Sequence, residues 1–155
     1  MRSPYPGQQV DEGDCVFCRI IASGEDLVHR GDHVAAFLDH RPLFPGHLLI
    51  VPVDHVLTLD QLSAEQMAPL MALTQHAVAA MATALGAEGA FVANNNIVSQ
   101  SVPHLHVHVV PRSRGDGLRG FFWPRRGYDD DTHRSTVHQQ LRSALYTPGT
   151  SVSRL

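Results

Sequence analysis

The chain has 155 residues, 43% of them hydrophobic and 17% charged, with a formal net charge of -3. This balance suits one globular domain with its own core, and it leaves no basic footprint for a duplex nucleic-acid binder. No uninterrupted run of about 18 apolar residues predicts a membrane span, and residues 1–13 lack the apolar stretch of a secretory signal, so a cytoplasmic protein is expected.

Residues 1–13 read as a flexible polar arm, ahead of a domain over 14–146 and a loose tail at 147–155. Val16 to Ser23 reads as a short helix stopped by Gly24. Asp26 to Arg30 and His33 to Asp39 are strand candidates around a turn at Gly31-Asp32. Arg41 to Gly46 is a breaker-rich loop, and His47 to Pro52 is a third strand. Leu62 to Leu85 is the long helix, with Ser63 and Gln66 resembling a capping box and Gly86 as its stop. Met67, Leu70, Met71, Thr74, Val78, Met81 and Leu85 are expected on its buried face, and Pro69 predicts a kink or a late start. Ala90 to Ala93 is a fourth strand, Asn94 to Gln100 a turn-forming loop, and the histidine-rich segment after it a fifth strand. Phe121 to Arg126 is an aromatic and basic cluster, which could offer arginines to a polyphosphate or close over a dimer interface. Asp129 to Tyr146 reads as a terminal helix, with acids at its N-terminal end where the helix dipole favours them. Short consecutive strands and one long helix predict an α+β fold, an antiparallel sheet covered by helix.

His104, His106 and His108 recur at every second position, separated by Leu105 and Val107. On a strand, alternation places the three imidazoles on one face and the aliphatic residues on the other. A straight row of three converges poorly on one ion. A neutral imidazole nitrogen attacks phosphorus well, and flanking histidines can bind phosphate oxygens and protonate a leaving group. Cys15-x-x-Cys18, with no signal sequence ahead of it, reads as a metal pair or as free thiols in preference to a structural disulfide.

Gln100-Ser101-Val102-x-His104-x-His106-x-His108-Val109-Val110 resembles the signature of the histidine triad (HIT) family of nucleotide hydrolases and transferases. The resemblance extends to Phe37-Leu38-Asp39, to Gly46 through Pro52 with His55, and to Cys15 through Ile21, and it covers roughly residues 14 to 112. It implies a HIT-like fold of about five strands, one long helix and a C-terminal helix. It implies that His106 is the nucleophile, that His108 and His47 contact phosphate, and that the His104 carbonyl holds the His106 ring. Ser101 and Gln100 would help bind phosphate or leaving group, and Asp39 the ribose hydroxyls. Val16, Phe17, Ile20 and Leu38 would line the base pocket; ordinary core packing explains them equally well. Of the three asparagines before Gln100, Asn95 is expected to be the one that contacts ligand. Ser99 stands where a glycine is common in the family.

In zinc-binding branches with this cysteine pair, the resemblance adds two further ligands, here His55 and His104. A structural Zn2+ on Cys15, Cys18, His55 and His104 is therefore expected, with no organic cofactor. The resemblance also implies a homodimer acting on a purine nucleotide or dinucleotide. The expected reaction is hydrolysis of nucleoside phosphoramidates or dinucleoside polyphosphates through a nucleotidyl-histidine. Transfer to another acceptor by the same chemistry, and non-catalytic nucleotide sensing, are the alternatives.

Overall fold

Apolar alternation in five short segments builds the sheet, and a computed structural model describes residues 12–118 and 127–145 of it and its flanking helices. The strands are β1 (Leu27–Arg30), β2 (Val34–Leu38), β3 (Leu48–Pro52), β4 (Gly89–Asn94) and β5 (Val107–Arg112). They pair antiparallel in the order β1-β2-β3-β5-β4. The helices are α1 (Val16–Ser23), α2 (Ala64–Leu85) and α3 (Asp131–Leu145). Most of the expected arm, the expected tail and the Phe121 to Arg126 cluster lie outside the described residues.

The chain divides into two compact units at residue 116. In the first, the central strands have apolar residues on both faces. Val34, Ala36, Ile50, Val107 and Val109 face α2 and pack with Leu70, Ala77 and Met81. Ala35, Phe37, Leu49 and Val51 form a second core with Cys15, Phe17 and Ile21 of the α1 segment. The histidine triad emerges on this second face. In the second unit, α3 starts beside a local cap in which Asp130 accepts the His133 amide, and His133 pairs with Asp129.

The ends of α2 follow the capping residues. The Ser63 hydroxyl accepts the Gln66 amide while the Gln66 side chain reaches back to the Ser63 amide, and Gly86 stops the helix in the left-handed region. The helix runs from Ala64 through Pro69 without an interruption, so the expected late start is absent. Its buried stripe also differs from the expected one. Met71, Val78 and Leu85 are exposed, whereas Gln66 and Ala77 are buried. Gln66 goes inside because its amide donates to Asp54 at 2.6 Å while its oxygen stays in the cap, so both ends of the side chain are paired. Although α2 has the length and mean hydropathy of a membrane span, the face carrying Leu70, Ala77 and Met81 packs on the sheet as a core helix.

Gly46 ends the loop before β3 with φ +96, and a Cβ there would strike the tip of Leu85. A Gly46→Ala change should therefore destabilise the fold by about 1–2 kcal/mol, read as a melting temperature lower by roughly 3–8 °C. An unchanged melting temperature would contradict this reading of the loop.

Candidate active site

The triad segment is only partly strand. Pairing begins at Val107, opposite Ile50 on β3 and Asn94 on β4, so the expected fifth strand starts three residues late. The reason lies across the ladder. Pro52 has no amide to donate, and its carbonyl accepts the His104 ring at 3.0 Å. The Leu105 amide turns away to the Val56 carbonyl at 2.6 Å. Side-chain alternation nevertheless continues through the segment. Leu105, Val107 and Val109 enter the core under α2, while His106 and His108 stack edge to face on the other side with centroids 4.8 Å apart.

Ring partners fix the tautomers. His106 Nδ1 lies 2.7 Å from the His104 carbonyl, which can only accept, so Nδ1 carries the proton and Nε2 keeps its lone pair. The Leu43 amide donates to His47 Nδ1 at 3.2 Å, which leaves the proton on His47 Nε2. That nitrogen sits 2.9 Å from His108 Nδ1 and donates to it, leaving His108 with a free Nε2–H. The site thus offers one lone pair and one donor on neighbouring rings. Asp39 closes the group: its amide donates to the His47 carbonyl, and Oδ1 accepts the Arg41 amide. Its Oδ2 stands 3.6 Å from His47 Nδ1, too long for a hydrogen bond in this state. Asp39, His47 and His108 have donor atoms within 4.8 Å of one another. However, Asp39 faces one nitrogen of His47 and His108 the other, so the three do not converge as metal ligands, and the hydrogen-bonded relay is that of His47 and His108.

Burial holds the rings neutral. It pushes His108 down to about 4, helped by the neighbouring His106 and His47. Burial also lowers His47, against the pull of Asp39, and His106, against its bond to the His104 carbonyl.

The other expected ligand contacts are distributed unevenly. Ser101 is exposed next to the triad. Gln100 is tied down, its amide donating to the Leu57 carbonyl and its oxygen accepting the Ile97 amide. The Asn95 amide donates to the Ser99 carbonyl at 3.4 Å. Asn94 was not singled out from the sequence, and its amide donates to the His106 carbonyl at 2.7 Å. Asn96 continues the chain, donating to Asn94 and accepting the Leu59 amide. The signal for Asn94 was its position as the last residue of β4, in register with Val107. Ile97 at φ +68 and Ser99 at φ +63 occupy the left-handed region, which explains why glycine suits the position of Ser99. Phe17 is buried against His106, Ile20 is half-buried, and Leu38 and Val16 are exposed. By alternation Leu38 shares the face of Val34 and Ala36, whereas the triad lies on that of Phe37.

Beside the triad, Cys15, Cys18, His55 and His104 bring their donor atoms within 4.8 Å of one another. His104 Nδ1 is 3.5 Å from both sulfurs, and His55 Nδ1 is 3.3 Å from Cys18 Sγ. Tetrahedral zinc with bonds of about 2.3 Å to sulfur and 2.05 Å to nitrogen separates those atoms by about 3.6 Å, so the spacing fits a four-coordinate ion. The donors fit as well. His104 Nε2 donates to the Pro52 carbonyl, which turns an Nδ1 lone pair toward the thiols and supplies the outer bond that ligating histidines use. Burial, together with the adjoining Cys15, pushes the Cys18 thiol up to about 12, so a bound cation is what would ionise the pair.

A HIT domain profile matches residues 23–115. The chain belongs to the HIT family. Over 114 residues it is 32% identical to the adenosine 5'-monophosphoramidase of Schizosaccharomyces pombe, covering 71% of this chain and 83% of that protein. Over 93 residues it is 41% identical to an AP-4-A phosphorylase of Mycobacterium tuberculosis, covering 58% of this chain and 48% of that one. Its fold is similar to that of a Zn-bound histidine triad family protein from Mycobacterium smegmatis, with TM-score 0.65, 31% identity, and coverage of 86% of this chain and 99% of that chain.

Two groups thus stand side by side in this HIT domain, one with lone pair and donor, the other with thiols and imidazoles. His104 belongs to both: its ring lies in the cysteine cluster, and its carbonyl holds His106. The Cys-x-x-Cys pair among histidines is consistent with the zinc-binding branch of the HIT family.

Proposed function

We propose that this HIT protein is a nucleotide hydrolase that cleaves nucleoside phosphoramidates or dinucleoside polyphosphates through a nucleotidyl-His106 intermediate. The observation that carries the reading is the pairing of a free Nε2 lone pair on His106 with a free Nε2–H on His108, side by side on one sheet face. His106 Nε2 attacks the α-phosphorus. The bond to the leaving amine or phosphate breaks while His108 Nε2–H hydrogen-bonds the departing atom; the phosphate leaves as its anion and the amine takes its proton from water. Water then attacks the same phosphorus, hydrogen-bonded through the His108 site and losing its proton to solvent, and the nucleotide leaves with His106 restored. Asp39 Oδ2, free of an internal hydrogen bond, would accept from the ribose hydroxyls, and Ser101 with Gln100 would meet phosphate or leaving group. Ile20 would line the base side, and Asn95 the loop side.

Cys15, Cys18, His55 and His104 would hold a structural Zn2+, whose chemistry is to ionise the thiols and tie the segment before α1 to the triad segment. A homodimer is supported by the edge position of β4 with its exposed Val92, and by the exposed Met71 and Val78 of α2. The likeness to an AP-4-A phosphorylase favours one second reading, in which phosphate instead of water opens the same intermediate.

A panel of phosphoramidates, dinucleoside polyphosphates and nucleotide sugars, with product analysis in the presence and absence of phosphate, tests the reading. Turnover is expected on one of the first two classes. Tight mononucleotide binding with no turnover on any of them would contradict it and favour a sensor. The pH dependence adds a check. Burial lowers the relay histidines from about 6.5, so they stay neutral at pH 7 and protonate only on acidification. A proton on His108 Nδ1 removes the acceptor for His47. The acid limb of kcat/KM should therefore lie below pH 6.5, with activity flat from there to pH 8; an acid limb above pH 7 would contradict the relay.

A further inference from the structure

Phe17 lies between the two cysteines in sequence, on the first turn of α1, and is 6% exposed. Its ring meets three others edge to face: Phe37 at 5.1 Å, His104 at 5.9 Å and His106 at 5.4 Å, the last at an interplanar angle of 86°. His106 is thereby enclosed. Its Nδ1–H is pinned to the His104 carbonyl, one side of its ring meets His108, and another meets Phe17. A ring this buried has little face left on which to stack a base, but it touches both the histidine of the cysteine cluster and the candidate nucleophile. The residues that fix where α1 sits, Cys15 and Cys18, flank it directly.

We propose that Phe17 is a positioning residue that holds the His106 imidazole in its attacking orientation, and that the Cys15–Cys18 cluster acts on the nucleophile through it. The proposal rests on the reading in which His106 attacks phosphorus. An imidazole has two soft torsions, and one hydrogen bond does not stop the ring from swinging about its own axis. A second ring packed edge to face with it does. The aromatic edge contact adds directional preference to plain bulk. Removing the second ring leaves substrate binding to other groups and misaligns the lone pair, and misplacement of about 1 Å costs on the order of 100-fold in rate. The signature is therefore a fall in kcat with KM nearly constant.

The test compares wild type with Phe17→Ala and Phe17→Leu, each checked for metal content and melting temperature. Phe17→Leu keeps apolar volume and covers the case in which Phe17→Ala fails to fold. The expected result is a kcat lower by about 10- to 100-fold in Phe17→Ala and by less in Phe17→Leu, with KM within about threefold. Without any substrate, ring-nitrogen NMR of His106 should show one fixed Nδ1–H tautomer in wild type and averaged tautomers in the variants. Cys18→Ser should lower kcat less in the Phe17→Ala background than in wild type, the remainder passing through His104, whose carbonyl holds His106. A raised KM with kcat and the His106 ring signals unchanged would overturn the proposal and leave Phe17 as a pocket wall. Should the wild type turn over no nucleotide, the hydrolase reading falls by itself, and the substrate-free ring signals still decide on Phe17.

Discussion

Replacing His106 with Asn should lower kcat for nucleotide release by about 10⁴-fold while the protein still folds and binds mononucleotide. Folding survives because the substitution keeps a planar donor near the position of Nδ1, where the only demand is a bond to the His104 carbonyl. Chemistry fails because neither neighbouring ring has a free lone pair to take over the attack. His108 Nδ1 is engaged by His47, and His47 Nδ1 by the Leu43 amide. The contrast with His108→Gln sharpens the test. If His108 only hydrogen-bonds the leaving group, its loss should cost less, and least for substrates with a good leaving group. Equal losses for good and poor leaving groups would show that His108 does something else.

The second large effect concerns the cysteine cluster. If the cluster holds the proposed Zn2+, a strong chelator, or Cys18→Ser, should lower the melting temperature by roughly 10 °C, equivalent to about 3 kcal/mol. Cys15 and His104 are almost completely buried, and without an ion the cluster is two thiols and two imidazoles with a buried, unpaired His55 Nε2. Turnover in the chelated protein should fall by about tenfold, not vanish, because the proposed reaction runs no step through the ion. Calorimetry with and without chelator, run beside the kinetic assay, separates the cases. Turnover abolished at an unchanged melting temperature would mean that the ion takes part in the chemistry.

Much of this arrangement was legible from residue types at fixed spacing. Ser63 with Gln66, and Gly86, mark the ends of α2 because they satisfy backbone groups that the helix leaves orphaned. The order of five strands follows from apolar runs separated by breakers. The four residues expected at a metal lie together, although they come from three separate segments. What stayed hidden depends on partners distant in sequence. The buried stripe of α2 runs through Gln66, Leu70, Thr74, Ala77 and Met81, and not through Met71 and Val78, because Asp54 gives Gln66 a reason to be inside. The late start of β5 depends on Pro52 across the ladder. Asn94, rather than Asn95, meets the His106 carbonyl because the chain turns at Ile97 and Ser99 through backbone angles that no local pattern announces. A β-branched residue with positive φ is held there by surrounding structure, not by its own preference.

The most direct test of the central claim is to mix the enzyme with a phosphoramidate or dinucleoside polyphosphate, quench within the first turnover, and read the intact and digested mass of the protein. The account predicts one nucleotidyl group on the peptide containing His106, labile to acid as a phosphoramidate is, and absent from His106→Asn. Steady turnover with no adduct on that peptide, or an adduct that persists in His106→Asn, would contradict it.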